Sequence, residues 1–260
     1  MKRIVVKTVV FLLFMSVNFS CAERHGEDEG KFVIDVAQVT TRSGQNLAWD
    51  YPVKPGSQEW AALRSGKEKV DICQIPSGLL NTLNTKDLAI ICMNYPLSFT
   101  YAFFDDERYG VHLIVEQFNG FTELSKRKDG VWELIKIYQE FPVFAERPPR
   151  SSTDYDAPYK LPFLELLLAD NTFLKQIDDQ MAIELGEIIV DKYSAKVKNM
   201  HIYSLWNIKK TFLLGAVLMN HRNMFPESSV QQFVINRFID EYRYPEPTLF
   251  SEMSQIISGL

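Results

Sequence analysis

His112 and Glu116, four residues apart, are the pair in this sequence best spaced for chemistry. On a helix, positions i and i+4 lie one above the other on the same face. An imidazole and a carboxylate so placed suit a zinc site or general acid–base work. An ordinary surface pair has the same spacing and is the commoner arrangement. Asp105, Asp106 and Glu107 offer three carboxylates in a row. That is oxygen enough for calcium, but without the alternating ligands and glycine of an EF-hand loop. At the start of a helix the same charges simply favour the macrodipole. Glu123 and Arg127 are a second i,i+4 pair, whose plain reading is a surface contact contributing about 0.3–0.5 kcal/mol. His201 and His221 flank an apolar run and are expected to meet backbone carbonyls or water.

The sequence holds no GxSxG elbow, HExxH, phosphate-binding loop, GxGxxG or CxxC. No catalytic residue is assigned and no cofactor is implied. Cys73 and Cys92 sit on apolar helical stripes, each just ahead of a proline. They are expected to be buried free thiols, with a disulfide as the alternative.

The elements that must position these residues read as helices. Leu88, Ile91, Cys92 and Tyr95 fall at i, i+3, i+4 and i+7. Val111, Ile114, Val115 and Phe118 repeat the spacing, as do Val131, Leu134, Ile135 and Tyr138. Ser57 is a predicted N-cap with a break at Gly66, Thr85 a predicted cap of the next long helix, and Asn119-Gly120 a predicted C-terminal stop. In the second half, Met181, Leu185, Ile188 and Ile189 form a stripe, and Thr211 to Met219 reads as a core helix without a polar face. Val230, Phe233, Val234, Phe238 and Tyr242 form a further face, ahead of a last helix at Thr248–Ser258.

Five of the twelve prolines lie between Pro142 and Pro162. This segment is the natural linker or long surface loop. The expected organisation is a leader over 1–20, a tether and extended lead-in over 21–56, a helical subdomain over 57–141, a proline-rich linker over 142–162 and a second helical subdomain over 163–260. The fold class is all-α, an irregular array of stacked helical hairpins with room for two subdomains. Phe32 to Val39 alternates weakly enough for one short strand. Trp49 and Tyr51 are expected to dock the lead-in onto the body, and most tyrosines and phenylalanines to fill the core rather than form a sugar-stacking platform.

The first residues carry an address. Lys2, Arg3 and Lys7 precede an apolar run ending FLLFMSV, the layout of a secretory signal. The run is too short to span a bilayer about 30 Å thick. Ser20-Cys21 resembles the lipobox of bacterial lipoproteins, which implies lipid attachment at Cys21. Asn18 departs from that pattern, and cleavage after Ala22 is the alternative. Glu27, Asp28 and Glu29 follow in what is expected to be a solvated tether, and they also resemble the surface-export signal of Bacteroidetes lipoproteins.

The net charge of −5 becomes three charges more negative once Lys2, Arg3 and Lys7 are removed. Such a chain gains nothing from counterion release, so nucleic acid is not an expected partner. The expected partners are the membrane, through the N-terminal lipid, and an envelope protein, a peptide or a glycan.

Four segments resemble a family of secreted proteins and lipoproteins of gut bacteria, mainly Bacteroidetes. They are YPVKPGSQEW (Tyr51–Trp60), CQIP (Cys73–Pro76), LNTKDLAIICMNYP (Leu83–Pro96) and FNGFTELSKRKD (Phe118–Asp129). The resemblance spans about residues 45–140. It implies an exported, helical protein and carries no catalytic residue. The expectation is a lipid-anchored binding or interaction module. The alternative is a hydrolase of cell-wall or dietary polymer with a His/carboxylate site.

Overall fold

The computed structural model describes residues 49–149 and 157–222, together with residues 236, 239 and 240. Cys21, the leader, the acidic tether, the short strand expected over 32–39 and the helix expected at 248–258 lie outside the described residues. So do all five residues of the expected face, Val230, Phe233, Val234, Phe238 and Tyr242. The described part is all-α: 67% of its confident region is helical, with no strand among the described residues.

The first two described helices begin at side-chain caps. In α1 (Gln58–Ala62) Ser57 Oγ accepts from Trp60 N, and in α2 (Gly66–Ile72) Ser65 Oγ accepts from Glu68 N. These bonds satisfy N–H groups that a helix start leaves open, each contributing about 1 kcal/mol. Pro76 precedes α3 (Ser77–Leu80). For α4 (Thr85–Met93) the cap is Asn84 rather than Thr85, its Oδ1 accepting from Asp87 N at 2.8 Å. Thr85 Oγ1 instead donates to Asp129 Oδ1. A 3-10 segment, Ser98–Phe103, leads to α5 (Glu107–Gln117).

Helix α5 stops at Gln117 with Phe118 as its C-cap, so a helix does end at Asn119-Gly120 as expected, but the chain does not leave helical structure there. Asn119 at once opens α6 (Asn119–Leu124), its side chain held by the backbone of Ile75, 44 residues away. The half closes with α7 (Gly130–Glu140), where Val131, Leu134, Ile135 and Tyr138 are all buried, as the 3.6-residue period requires.

The second half comprises α8 (Ala157–Leu168), α9 (Asn171–Leu174), α10 (Asp179–Lys198) and α11 (Leu205–His221). Residues 157–162, expected in the linker, are the first six of α8. Pro158 falls in the first turn, where its missing N–H costs nothing. Pro162 costs about 3 kcal/mol inside a helix. Leu161, Phe163, Leu164, Leu166, Leu167 and Leu168 are all buried, and each contributes about 1.5–3 kcal/mol, so packing outweighs the proline.

Helix α8 touches α5, α7, α9, α11 and the 3-10 segment. One hydrophobic cluster runs from Tyr51 to Met219, so the two halves share a core. Helix α11 is buried as expected but not uniformly apolar: Lys209, Lys210 and Thr211 are also inside. Lys210 Nζ meets Glu107 Oε2 at 2.7 Å and lies 3.2 Å from the centroid of Trp206. Glu165 accepts from Lys196 Nζ at 2.8 Å, Thr211 Oγ1 at 2.7 Å and Tyr138 OH at 3.0 Å. Burial pulls the Lys196 ammonium below its usual range, and the Glu165 carboxylate opposes that pull.

Candidate functional site

Three segments distant in sequence close a hollow of about 300 Å³. The first is the lead-in around Tyr51. Tyr51 OH donates to Ile91 O at 2.8 Å, which fixes the segment on α4. Asp50 is held by two contacts: its Oδ1 accepts from Tyr51 N, and its Oδ2 pairs with Lys54 Nζ at 2.5 Å. Trp49 then lies edge-on to Tyr51, with ring centroids 4.7 Å apart.

The second segment runs from the end of α4 into the 3-10 turn. Tyr95 stacks on Phe118 at 4.3 Å and is buried, an aromatic pair contributing about 0.5–1.5 kcal/mol beyond its area. Pro96 ends α4, and the turn after it carries Phe99 outward, 52% exposed, edge-on to Phe103. The third segment is the first turns of α8, which present Tyr159, 50% exposed, and the buried Phe163. Tyr101 forms the floor, packed on Phe163 and Trp206. Burial raises the Tyr51, Tyr95 and Tyr101 phenols well above their usual range, with nearby ionisable groups adding to the shift, so all three remain neutral.

Trp49, Phe99 and Tyr159 therefore offer accessible ring surface around a hydrophobic floor. The half-buried Asn94 amide and Ser98 hydroxyl also line the hollow, and neither side chain hydrogen-bonds to another described residue. The chemistry available is apolar stacking with a few directed hydrogen bonds, the pattern of small-molecule sites.

His112 and Glu116 do meet on α5, with Nε2 3.3 Å from Oε1. The other ring nitrogen, Nδ1, lies 3.0 Å from Asp170 Oδ2. Asp170 is also the N-cap of α9, its Oδ1 accepting from Thr172 N. The two carboxylates face opposite ring nitrogens and do not converge on one point. Among the described residues no three His, Cys, Asp or Glu side chains are placed to hold a metal ion. An Asp–His contact orients an imidazole, which is half of an acid–base device. Among the described residues no serine, threonine or cysteine side chain is hydrogen-bonded to His112, and none of the three residues lines the aromatic hollow.

The remaining candidates separate. Asp106 caps α5 and is gripped by Arg108; burial pushes its carboxyl up, but the hydrogen bonds and charge of Arg108 outweigh that and hold it low. Glu107 turns inward to Lys210. Arg127 contacts Glu123, but its guanidinium also donates to Leu83 O at 2.7 Å and Leu80 O at 2.8 Å, so it ties the turn after α6 to the end of α3 and the turn that follows it. His201 Nε2 lies 3.0 Å from Ala145 O, and His221 is exposed in the last turn of α11. Cys73 and Cys92 are free and buried.

Asp170 escaped the sequence reading because its partner is 58 residues away. Its one local signal was a capping position before Asn171–Leu174. Tyr159 escaped because it sat in what read as a linker. No helix among the described residues is long and apolar enough to cross a membrane. No protein-family model, no curated protein and no solved structure matches the chain.

Proposed function

We propose that this chain is a lipid-anchored envelope protein that captures a small ligand in the hollow between Trp49, Phe99 and Tyr159. The observation that carries the binding half is the exposure of Phe99 and Tyr159 on the lining of a formed cavity. Aromatic side chains bury about 150–250 Å² each when they are covered, so leaving two of them half in water is favourable to a partner that covers them. The anchor half is supported by the leader and Cys21.

Two measurements test it. Cys21→Ala should move the protein from the membrane fraction to the soluble fraction; continued retention overturns the acyl anchor. In a thermal-shift panel of oligosaccharides, peptides, fatty acids, amino acids and nucleosides, at least one class should stabilise the wild type and not Phe99→Ala/Tyr159→Ala. Stabilisation by none of them overturns the binding reading.

The Asp170–His112 contact favours a second reading, a hydrolase of cell-wall or dietary polymer with His112 as its base. In that case cleavage of peptidoglycan or plant polysaccharide by the purified protein is abolished in His112→Gln. Equal cleavage by wild type and variant, or none by either, removes it.

A further inference from the structure

Resting on the reading of the hollow as a binding site, we infer that its ligand is a neutral saccharide. One sugar ring lies against the faces of Trp49, Phe99 and Tyr159, and its hydroxyls bond to Asn94 and Ser98. The inference follows from what the lining has left to offer. A fatty acyl chain suits a wall with no unspent polar group, because a dry amide or hydroxyl costs free energy once water is displaced. Here Asn94 brings two donors and a carbonyl, and Ser98 a donor and an acceptor, none of them bonded to a described residue.

A charged ligand needs an opposite charge that the protein has not already matched. Asp50 and Lys54 are matched to each other at 2.5 Å, and the Nζ of Lys160, the other charged residue of the lining, is buried and already in contact within the protein, so it is not presented to a ligand in the hollow. What remains is a combination of aromatic faces and neutral hydrogen-bonding groups. A pyranose fits it: one face is C–H bonds, polarised by neighbouring hydroxyls and attracted to the negative face of an aromatic ring, while its rim is hydroxyls. A volume of about 300 Å³ is the lower end of small-ligand sites and admits one or two rings, not a folded partner.

The test is a titration with neutral disaccharides of glucose, galactose and mannose, followed by tryptophan emission and by thermal shift. A proline-rich peptide and laurate serve as rival probes. At least one disaccharide should bind. Tyr159→Ala and Phe99→Ala should each weaken it about tenfold, which is about 1.4 kcal/mol. Tyr159→Phe should bind within about threefold of wild type, because stacking and not the phenol carries the contact. Asn94→Ala should weaken the sugar without altering stability. Trp49→Phe should abolish the emission change while the thermal shift persists, which places the reporter in the hollow.

Binding of the peptide or laurate alone, lost in Tyr159→Ala, overturns the saccharide inference and leaves the binding site standing. Sugar binding that survives Phe99→Ala/Tyr159→Ala places the sugar elsewhere and overturns it as well. Binding of none of the probes at millimolar concentration overturns the inference, and the broader panel described above then decides the fate of the site itself.

Discussion

Gln74 and Asn119 are clasped across 45 residues of chain. Asn119 N donates to Gln74 Oε1 at 2.9 Å, while the Asn119 amide accepts from Ile75 N at 3.0 Å and donates to Ile75 O at 2.7 Å. Gln74 Nε2 continues the bridge to Gln117 O. The clasp stitches the end of α2 to the α5–α6 corner, where neither backbone has a helical partner. Asn119→Ala removes two of these bonds at a half-buried site. Each bond contributes about 1 kcal/mol, and the orphaned Ile75 groups add to the loss, so stability should fall by about 2–3 kcal/mol. Urea unfolding with an unchanged m-value checks it; a loss below about 0.5 kcal/mol would mean that water replaces the amide without cost.

Glu165 and Lys196 are both completely buried. Lys196→Met leaves the carboxylate without its cation and should cost about 3–5 kcal/mol. Glu165→Leu combined with Lys196→Met should cost clearly less than the sum of the single losses, since the second change removes the charge stranded by the first. A double-mutant cycle by denaturant unfolding measures this. Additive losses would show that the two residues act independently.

Gly130 and Gly186 should respond in opposite ways to alanine. A Cβ on Gly130 would stand 2.1 Å from the carbonyl oxygen of Leu124, against backbone rather than a yielding side chain. On Gly186, inside α10, it meets nothing within 4 Å. Gly130→Ala should destabilise by more than about 2 kcal/mol, and Gly186→Ala should stabilise by about 0.5–1 kcal/mol. Thermal melts of the two variants decide it, and a neutral Gly130→Ala would mean that the α6–α7 turn can yield.

Burial pushes the Cys73 thiol up to about 12, from an ordinary value near 9. The folded chain therefore keeps a proton that the unfolded chain releases. The resulting stabilisation is fully present below about pH 9 and is lost as pH rises through 9 towards 12. Between about pH 8 and 10.5, stability should fall more steeply in the wild type than in Cys73→Ala. Parallel slopes would contradict the raised value. In the native protein at about pH 8, thiol reagents should label neither Cys73 nor Cys92 until it unfolds.

Periodicity alone revealed most of the helices. The stripe at Val131, Leu134, Ile135 and Tyr138 is the buried face of α7, and Ser57 caps where its type suggested. Errors arose where a distant contact decided a local choice. Asn119-Gly120 follows the end of α5 as its composition suggests, but the immediate start of α6, with the asparagine side chain on Ile75, has no local signal. Asn84 and Thr85 are adjacent residues of capping type, and only the backbone selects between them. Pro158 and Pro162 look like linker residues until the buried leucines beside them are counted. The hollow was the least legible feature, because its walls come from positions 49 to 163 and no short-range pattern joins Trp49 to Tyr159. The His112–Glu116 spacing was readable from the helical period, whereas Asp170 on the far ring nitrogen was not.

A greasy cylinder fits a greasy socket at many rotational settings, but α11 is denied that freedom. Lys210 must find Glu107 on α5 while its neighbour Thr211 finds Glu165 on α8. A slip of one residue turns the helix by about 100° and strands both sides of each contact in a dry interior. Two polar anchors on adjacent residues thus act as a key and lock for the last described helix, choosing a single azimuth where oil alone would accept several.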